Sequence, residues 1–188
     1  MKTRLFAAVA AATLIFADVA QAATAVFAGG CFWSAEHDIE HTPGVTNVVV
    51  GYAGGKGSNP SYEDHEGFLE SIKVTYDPAR ISYSQLVDAF FHHIDPTDPG
   101  GQICDRGGAY RTAVFAATPQ EKAQAEAVKA QIAKTLNRPV ATMILGAAPF
   151  HMGEGYHQNY ATRNPAAYAA YRVGCGRDRA LRAVWGGR

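Results

Sequence analysis

Residues 24–36 read TAVFAGGCFWSAE and pass from a short, mostly apolar run through two glycines into a segment with a cysteine and two aromatic residues. The run at 24–28 is typical of a short strand, and Gly29 and Gly30 end it. A helix is predicted from about Cys31 to about His41. A strand that passes directly into a helix through two glycines indicates a chain that mixes strands and helices.

Outward from this stretch, the sequence predicts further strands and helices within one domain. Strands are predicted at residues 45–51, 70–76, 110–116 and 140–145, and helices at 83–94 and 119–136. Ser82 and Thr118 directly precede the two helices and are typical N-cap residues. The tail from Pro149 is predicted to be largely irregular, with short helices near residues 156–160 and 165–171.

The composition narrows the class of protein. The chain has 188 residues, of which 47% are hydrophobic, and this favours a single folded domain over a disordered chain. The 17 basic residues balance the 17 acidic ones. A net charge of zero argues against a nucleic-acid-binding protein, which normally carries a basic surplus.

The first 22 residues have the pattern of a secretory signal peptide. Two basic residues precede an apolar run at positions 5–16, which is followed by the small-x-small sequence Ala20-Gln21-Ala22. The run is shorter than the roughly 20 residues that a membrane-spanning helix needs. We expect cleavage after Ala22, a mature domain at residues 23–188, and a periplasmic or secreted protein that is not held in a membrane.

Three cysteines, at positions 31, 104 and 175, form no C-x-x-C pair. Their spacing excludes a zinc ribbon and a thioredoxin-type dithiol motif. At most one disulfide can form among them, so at least one thiol is left free. Export would place all three in an oxidising compartment.

Cys31 has the surroundings of a nucleophile. At the start of a helix, unpaired backbone amides and the helix dipole would lower its pKa below the usual value of about 8.5. The preceding glycines leave room for a substrate, and Phe32 and Trp33 would form an apolar wall beside the thiol. The alternative is a buried, unreactive cysteine that happens to cap a helix.

Several further motifs occur in the same order as in a known family. They are GCFWSAE at 30–36, GYAGG at 51–55, NPSY at 59–62, VTYDP at 74–78, DPT at 95–97, YR at 110–111 and GYHQNY at 155–160. With them the sequence resembles the A-type peptide methionine sulfoxide reductases over essentially the whole predicted mature chain. The resemblance implies thiol-dependent reduction of the S epimer of methionine sulfoxide, free or in proteins.

The resemblance also implies the fold and the partners. The fold would be α+β, a two-layer sandwich with a ferredoxin-like core and, here, an irregular C-terminal tail. A thioredoxin-like dithiol protein would serve as the reductant, with no bound metal or organic cofactor. Nothing in the sequence calls for more than a monomer.

By position, the resemblance assigns four residues around the reacting sulfur. Cys31 would attack the sulfoxide and become a sulfenic acid, and Phe32 and Trp33 would hold the substrate methyl group. Glu70 would protonate the sulfoxide oxygen, a task that suits a carboxyl group whose pKa is raised by burial. From the sequence alone, Glu70 could equally be an exposed carboxylate at the start of a strand.

Three more residues complete the implied site. The hydroxyl groups of Tyr52 and Tyr110 would hydrogen-bond the sulfoxide oxygen, since such donors stabilise developing charge in a dry pocket. Asp105 would help to order the site. Packing alone could also account for either tyrosine.

The thiol that resolves the sulfenic acid is the main departure from the family pattern. Many relatives carry a cysteine after the tyrosine of the Asn-Pro segment, where this chain has Ala169. We favour Cys175, which lies between two glycines in a segment expected to be mobile. Cys104 is the rival, because it directly precedes Asp105.

Two other functions remain open from the sequence. His37 and His41 fit the H-x-x-E-H pattern of a zinc peptidase, although so short a pattern often arises by chance. A thiol-based redox sensor is a second alternative, in which peroxide oxidises Cys31 and Glu70 is incidental.

Overall fold

The computed structural model describes residues 21–186. Eight strands, numbered in chain order, are β1 (Ala23–Gly29), β2 (Val45–Ala53), β3 (Leu69–Tyr76), β4 (Gly101–Gln102), β5 (Asp105–Arg106), β6 (Thr112–Ala116), β7 (Met143–Gly146) and β8 (Phe150–Met152). Six α-helices are α1 (Phe32–Ile39), α2 (Tyr83–His92), α3 (Pro119–Leu136), α4 (Tyr160–Arg163), α5 (Pro165–Cys175) and α6 (Arg177–Trp185). A 3₁₀ helix covers Gly108–Tyr110.

The main sheet has the strand order β7-β6-β1-β3-β2-β8. Neighbouring strands are antiparallel except β6 and β7, which are parallel. The chain order β1-α1-β2-β3-α2-β6 gives the central four strands a β-α-β-β-α-β topology. The predicted α+β sandwich with a ferredoxin-like core is therefore confirmed. β4 and β5 form a separate two-stranded hairpin.

The core lies between this sheet and the first two helices. Phe27 of β1 stacks on Phe90 of α2 with ring centroids 4.6 Å apart. Ile72 and Val74 of β3 are fully buried in the same cluster, together with Ile39 of α1. Burial of each such side chain contributes about 1.5–3 kcal/mol, so both helices are held firmly against the sheet. The site described below is built on these elements.

Most predicted boundaries lie within a few residues of the observed ones. The helix predicted at residues 119–136 coincides with α3, where Thr118 caps the first turn and Asn137 ends the helix in the left-handed conformation. The strand predicted from Tyr110 begins instead at Thr112. Tyr110 belongs to the 3₁₀ helix, whose turn brings its side chain to the site rather than into the sheet.

The C-terminal tail is mostly regular, and the prediction of an irregular tail was wrong. β8 pairs with β2, α5 extends beyond the short helix predicted at residues 165–171, and α6 was not predicted. Trp185 near the end of α6 is buried and donates a hydrogen bond to the carbonyl of Ile94 at 3.0 Å. α6 escapes detection in the sequence because its buried anchors are few amid many charged residues.

The predicted signal peptide lies almost wholly outside the described residues, which begin at position 21. Within residues 21–186, no helix is both long enough and apolar enough to cross a membrane.

A capping box starts α2. The Ser82 hydroxyl accepts a hydrogen bond from the Gln85 amide, and the Gln85 side chain accepts one from the Ser82 amide. We expect Ser82→Ala to lower the free energy of unfolding by about 1 kcal/mol. Urea denaturation would measure this loss, with Ser58→Ala in the exposed β2–β3 loop as the control. Equal midpoints for the two variants would contradict the role of the cap.

Candidate active site

Cys31 lies between β1 and α1, where it occupies the N-cap position of the helix. Its carbonyl accepts hydrogen bonds from the amides of Ser34 and Ala35, both at 3.1 Å. Gly30 has a positive φ of 83°, and a Cβ there would lie 2.4 Å from the Cβ of Gln102. Glycine is therefore required for this turn, which brings the Cys31 side chain into a pocket where only 7% of the residue is exposed.

Glu70 reaches Cys31 from the neighbouring strand β3. Its buried carboxylate accepts a hydrogen bond from the backbone amide of Phe32 at 2.9 Å. The Tyr110 hydroxyl lies near the same carboxylate. Burial raises the pKa of Glu70 to about 7, although the Phe32 amide and the Tyr110 hydroxyl work against this rise. A substantial part of Glu70 therefore carries a proton at neutral pH.

The pKa of Cys31 moves opposite to the prediction. Burial raises it to about 12, and the nearby carboxylates of Glu70 and Asp105 add to the rise. The helix dipole cannot offset this, because the Phe32 amide at the first turn donates to Glu70 and the Cys31 side chain makes no capping hydrogen bond. The substrate-free site therefore holds a thiol, not a thiolate, next to a partly protonated carboxyl group.

Asp105 is tied to α5 through Tyr171, a residue that no sequence motif marks. The Tyr171 hydroxyl donates a hydrogen bond to Asp105 at 2.6 Å. Both side chains lie near the Cys31 thiol, and the carboxylate of Asp105 adds to the rise in the pKa of that thiol. The ordering role of Asp105 stays a prediction.

Tyr52 is the direct cross-strand partner of Glu70 in the β2–β3 pair. Its hydroxyl donates a hydrogen bond to Glu154 at 2.9 Å, and the other oxygen of Glu154 accepts one from the backbone amide of Tyr62. The Tyr62 side chain lies near both Glu70 and Cys31 and is 41% exposed. Glu154 thus ties the loop that carries Tyr62 to the rim of the site.

An aromatic wall closes the other side of the pocket. Phe32 is buried and packs against His157, with ring centroids 5.0 Å apart. The Trp33 indole donates to Nδ1 of His157 at 3.1 Å and stacks on Tyr160 with centroids 3.8 Å apart. Because Nδ1 accepts this hydrogen bond, His157 is neutral, and burial keeps its pKa low. The indole ring of Trp33 is therefore fixed at its edge by the hydrogen bond to His157 and on its face by stacking on Tyr160.

Glu36 supports this wall from beneath. Its buried carboxylate accepts a hydrogen bond of 3.1 Å from the backbone amide of Asn159, the residue just before α4 begins at Tyr160. Burial raises the pKa of Glu36 to about 7. This contact fixes the segment from which Tyr160 stacks on Trp33.

The two candidates for the resolving thiol, Cys104 and Cys175, form a disulfide with each other, whereas Cys31 is free. The preference for Cys175 as the resolving thiol stays a prediction. Cys175 is the last residue of α5 and not part of a loop, and it lies one helical turn after Tyr171. Cys104 directly precedes Asp105, so the disulfide joins the hairpin that carries Asp105 to the helix that carries Tyr171.

The histidines of the H-x-x-E-H pattern lie at the far end of α1. Ligand atoms of His37, Glu40 and His41 are within 4.8 Å of one another. They belong to the partly exposed end of the helix, whereas Cys31 lies at its start. The cluster is therefore separate from the pocket around the thiol.

Most of the predicted site residues cluster around Cys31. Glu70 is bonded to the backbone amide of Phe32, Tyr110 lies near Glu70, and Phe32 and Trp33 form one wall. Glu154 was missed because nothing in the local sequence marks it. For Tyr171, the only available signal is its position four residues before a cysteine, which places both on one helical face.

For the methionine sulfoxide reductase activity that the resemblance implies, we expect His157→Phe to lower kcat/KM by about tenfold or more, because the indole N–H of Trp33 would lose its acceptor in a half-buried place. His157→Gln supplies a side-chain oxygen and should recover part of the loss. Steady-state kinetics at several substrate concentrations would separate KM from kcat. A His157→Phe enzyme as active as the parent protein would contradict this role.

Comparison with known proteins links the chain to one family. The family model for peptide methionine sulfoxide reductase matches residues 23–188. Peptide methionine sulfoxide reductase MsrA 2 of Rhizobium meliloti is 46% identical over 177 residues, which cover 93% of this chain and 89% of that protein. The corresponding MsrA 2 of Caulobacter vibrioides is 50% identical over 169 residues, which cover 87% and 86% of the two chains.

Solved structures agree with the sequence comparisons. Methionine sulfoxide reductase A of Corynebacterium diphtheriae matches with a TM-score of 0.72 and 31% identity, over 81% of this chain and 79% of the other. The structure of Mxr1 from Saccharomyces cerevisiae in complex with Trx2 matches with a TM-score of 0.55 and 26% identity, over 77% and 88%. From the sequence, the fold and the arrangement around Cys31 together, the chain belongs to the peptide methionine sulfoxide reductase family.

Proposed function

We propose that this protein reduces the S epimer of methionine sulfoxide, free or within proteins, and that Cys31 is the residue oxidised. One observation carries the proposal: a buried thiol and a carboxyl group with a raised pKa lie next to each other beside an apolar aromatic wall. A sulfoxide presents an apolar methyl group and a basic oxygen. This pocket offers a matching surface for each of them.

The chemical step balances with the protons that the site holds. Glu70 donates a proton to the sulfoxide oxygen as the sulfur of Cys31 attacks the sulfoxide sulfur. The attack forms a bond between the two sulfurs. The bond between the substrate sulfur and its oxygen breaks, the oxygen passes as hydroxyl to Cys31, and the bond between the two sulfurs breaks as methionine leaves. The proton of the Cys31 thiol passes to Glu70 and replaces the one that Glu70 donated. Cys31 is thereby oxidised by two electrons to a sulfenic acid, and the substrate sulfur is reduced by two.

The hydroxyl groups around the pocket stabilise this transfer. The Tyr110 hydroxyl lies near the Glu70 carboxylate, and Tyr52 lies directly across from Glu70. Burial raises the pKa of both phenols, so both stay protonated and act as hydrogen-bond donors. The oxygen of a bound sulfoxide would replace a carboxylate as the acceptor of at least one of them.

The Cys104–Cys175 disulfide stores the oxidising equivalent after turnover. A thiol of the pair condenses with the sulfenic acid and releases water, and the second thiol then displaces Cys31 to give the disulfide that the structure contains. A dithiol reductant of thioredoxin type restores the two thiols. The solved complex of the relative Mxr1 with Trx2 supports this choice of partner.

The alternative functions receive no support from the comparisons. The family model, both relatives and the Corynebacterium diphtheriae structure reported above are named as methionine sulfoxide reductases, and none of them is named as a peptidase. A redox sensor would not need Glu70 and Tyr110 to converge on the thiol. The contacts of these two side chains therefore favour an enzyme with a substrate pocket.

The proposal is tested by supplying dithiothreitol and each epimer of methionine sulfoxide separately. We expect conversion of the S epimer alone, because the wall of Phe32 and Trp33 and the donors around Glu70 fix one orientation of methyl and oxygen. Conversion of neither epimer, or of both at equal rates, would overturn it.

For the location of the protein, we propose export by the signal peptide at residues 1–22, with cleavage after Ala22, and action as a monomer in the periplasm. The charged start, the apolar run and the small-x-small site support export. N-terminal sequencing of the protein recovered from the periplasmic fraction should begin at Ala23. Recovery of the uncleaved chain from the cytoplasm would contradict this location.

A further inference from the structure

The two ends of the disulfide differ in their surroundings. Cys104 lies in the two-residue turn between β4 and β5, and its side chain is exposed. Cys175 ends α5 and is partly buried. We propose, building on the function above, that a thioredoxin-type reductant attacks the sulfur of Cys104, and that it docks on the surface formed by Ile103, Cys104, Val173 and Gly174.

Access selects the sulfur that is attacked. An incoming thiolate must reach one sulfur of a disulfide in line with the bond to the other, so the rate depends on which sulfur is accessible. Cys104 lies in the turn of a hairpin whose strands have only two residues each, and it is exposed. Cys175, by contrast, is the last residue of α5 and is partly buried. Of the two residues, Cys104 is therefore the more accessible to an incoming thiolate.

The surface around the disulfide has an apolar centre. Val173 is 78% exposed, the highest value among the exposed large apolar side chains of the described residues. It lies two residues before Cys175, and the partly exposed Ile103 lies beside Cys104. Isolated exposed apolar residues are common on proteins. Here they flank the one bond that a partner must approach, which is the arrangement expected of a docking surface for a dithiol protein.

The rim of this surface is basic. A hollow of about 240 Å³ beside Val173 is lined by Arg172, Asp178, Arg179 and Arg182. Arg172 is paired with Asp178 and with Asp38, whereas Arg179 and Arg182 are exposed. The apolar centre and basic rim of this surface are therefore complementary to a dithiol protein that has acidic side chains near an apolar surface around its reactive thiol.

The exchange balances in two steps. The partner's thiolate attacks the sulfur of Cys104, forms a mixed disulfide and releases Cys175 as a thiolate, which takes up a proton. The partner's second thiol then attacks the mixed disulfide and releases Cys104. Two electrons pass to this protein, and the partner becomes the disulfide.

A trapping experiment tests the assignment. The protein with its Cys104–Cys175 disulfide intact is mixed with a thioredoxin whose second active-site cysteine is replaced by serine, and the mixed disulfide is mapped by mass spectrometry after proteolysis. We expect linkage to Cys104. Linkage to Cys175, or no mixed disulfide although dithiothreitol opens the bond, would overturn the proposal.

A surface variant provides an independent test. We expect Val173→Asp to lower kcat/KM for reduction by thioredoxin by about tenfold, with turnover in dithiothreitol unchanged. Ala127→Asp, on the exposed side of α3, is the matched control and should change neither. Equal effects of the two variants would contradict the docking surface. If dithiothreitol supports no methionine formation at all, the proposed function itself fails, whereas linkage at Cys175 in an active enzyme refutes only this inference.

Discussion

Replacement of Cys31 by serine is expected to abolish methionine formation, with a loss of about 10⁴-fold or more in kcat/KM. A serine hydroxyl at this position is a far weaker nucleophile toward sulfur and cannot be oxidised to a sulfenic acid. The substitution exchanges one atom in a buried N-cap, and serine is itself a favoured N-cap residue. The loss should therefore occur without unfolding. The measurement is methionine formation from the S epimer with dithiothreitol.

The control for this loss is the double variant Cys104→Ser/Cys175→Ser. It keeps Cys31 and should still form one equivalent of methionine per chain without added reductant. If Cys31→Ser retained turnover, or if the double variant formed no methionine, the nucleophile would have to be sought elsewhere.

Glu70→Gln is expected to lower kcat for methionine sulfoxide by about 10²–10⁴-fold, the usual contribution of a general acid. Glutamine keeps the shape and can still accept the hydrogen bond from the Phe32 amide. It cannot give a proton to the sulfoxide oxygen. The exposed carboxylate of Glu66 in the preceding loop provides the matched control, and Glu66→Gln should be as active as the parent protein.

Glu70→Gln lowers kcat, but it should make the Cys31 thiol react faster with an alkylating reagent. The negative charge of Glu70 contributes to the raised pKa of Cys31, so its removal lowers that pKa and increases the thiolate fraction. We expect iodoacetamide to modify Cys31 up to about tenfold faster in Glu70→Gln at pH 8.5, with the other two cysteines held in their disulfide. Below pH 7, where Glu70 is largely protonated in the parent protein, the difference should vanish. Slower alkylation at pH 8.5 would contradict the electrostatic coupling.

The parts of the fold that local signals mark were predictable. α3 has a threonine N-cap, a proline in its first turn and an asparagine in the left-handed conformation at its C-cap. The bounds of the helix follow from these residues. The hairpin of β4 and β5 escaped prediction because strands of two residues in a segment rich in Gly and Pro carry no periodicity. α6 escaped for the opposite reason, since its charged surface hides a single buried tryptophan and a buried arginine.

For the site, motifs identify the residues but not their electrostatics. The position of Cys31 at a helix start predicted a low pKa, yet Glu70 takes the helix amide and adds a negative charge. The identity of that acceptor depends on the alignment of β3 with α1, which the sequence does not reveal. The pairing of Cys104 with Cys175 depends likewise on contact between a hairpin and a distant helix. The glycines that flank Cys175 predicted a mobile loop, whereas Cys175 ends a helix. Which of the two thiols resolves the sulfenic acid stays a prediction.

The stoichiometry of methionine formation without reductant tests the central claim most directly. The fully reduced protein is mixed with excess S epimer in the absence of any reductant. The reaction is quenched once its own thiols are oxidised, and the amount of methionine formed per protein chain is measured. We expect about two equivalents, one stored as the Cys104–Cys175 disulfide and a second as the sulfenic acid of the regenerated Cys31. The R epimer should give none. No methionine from the S epimer, or equal yields from both epimers, would contradict the account.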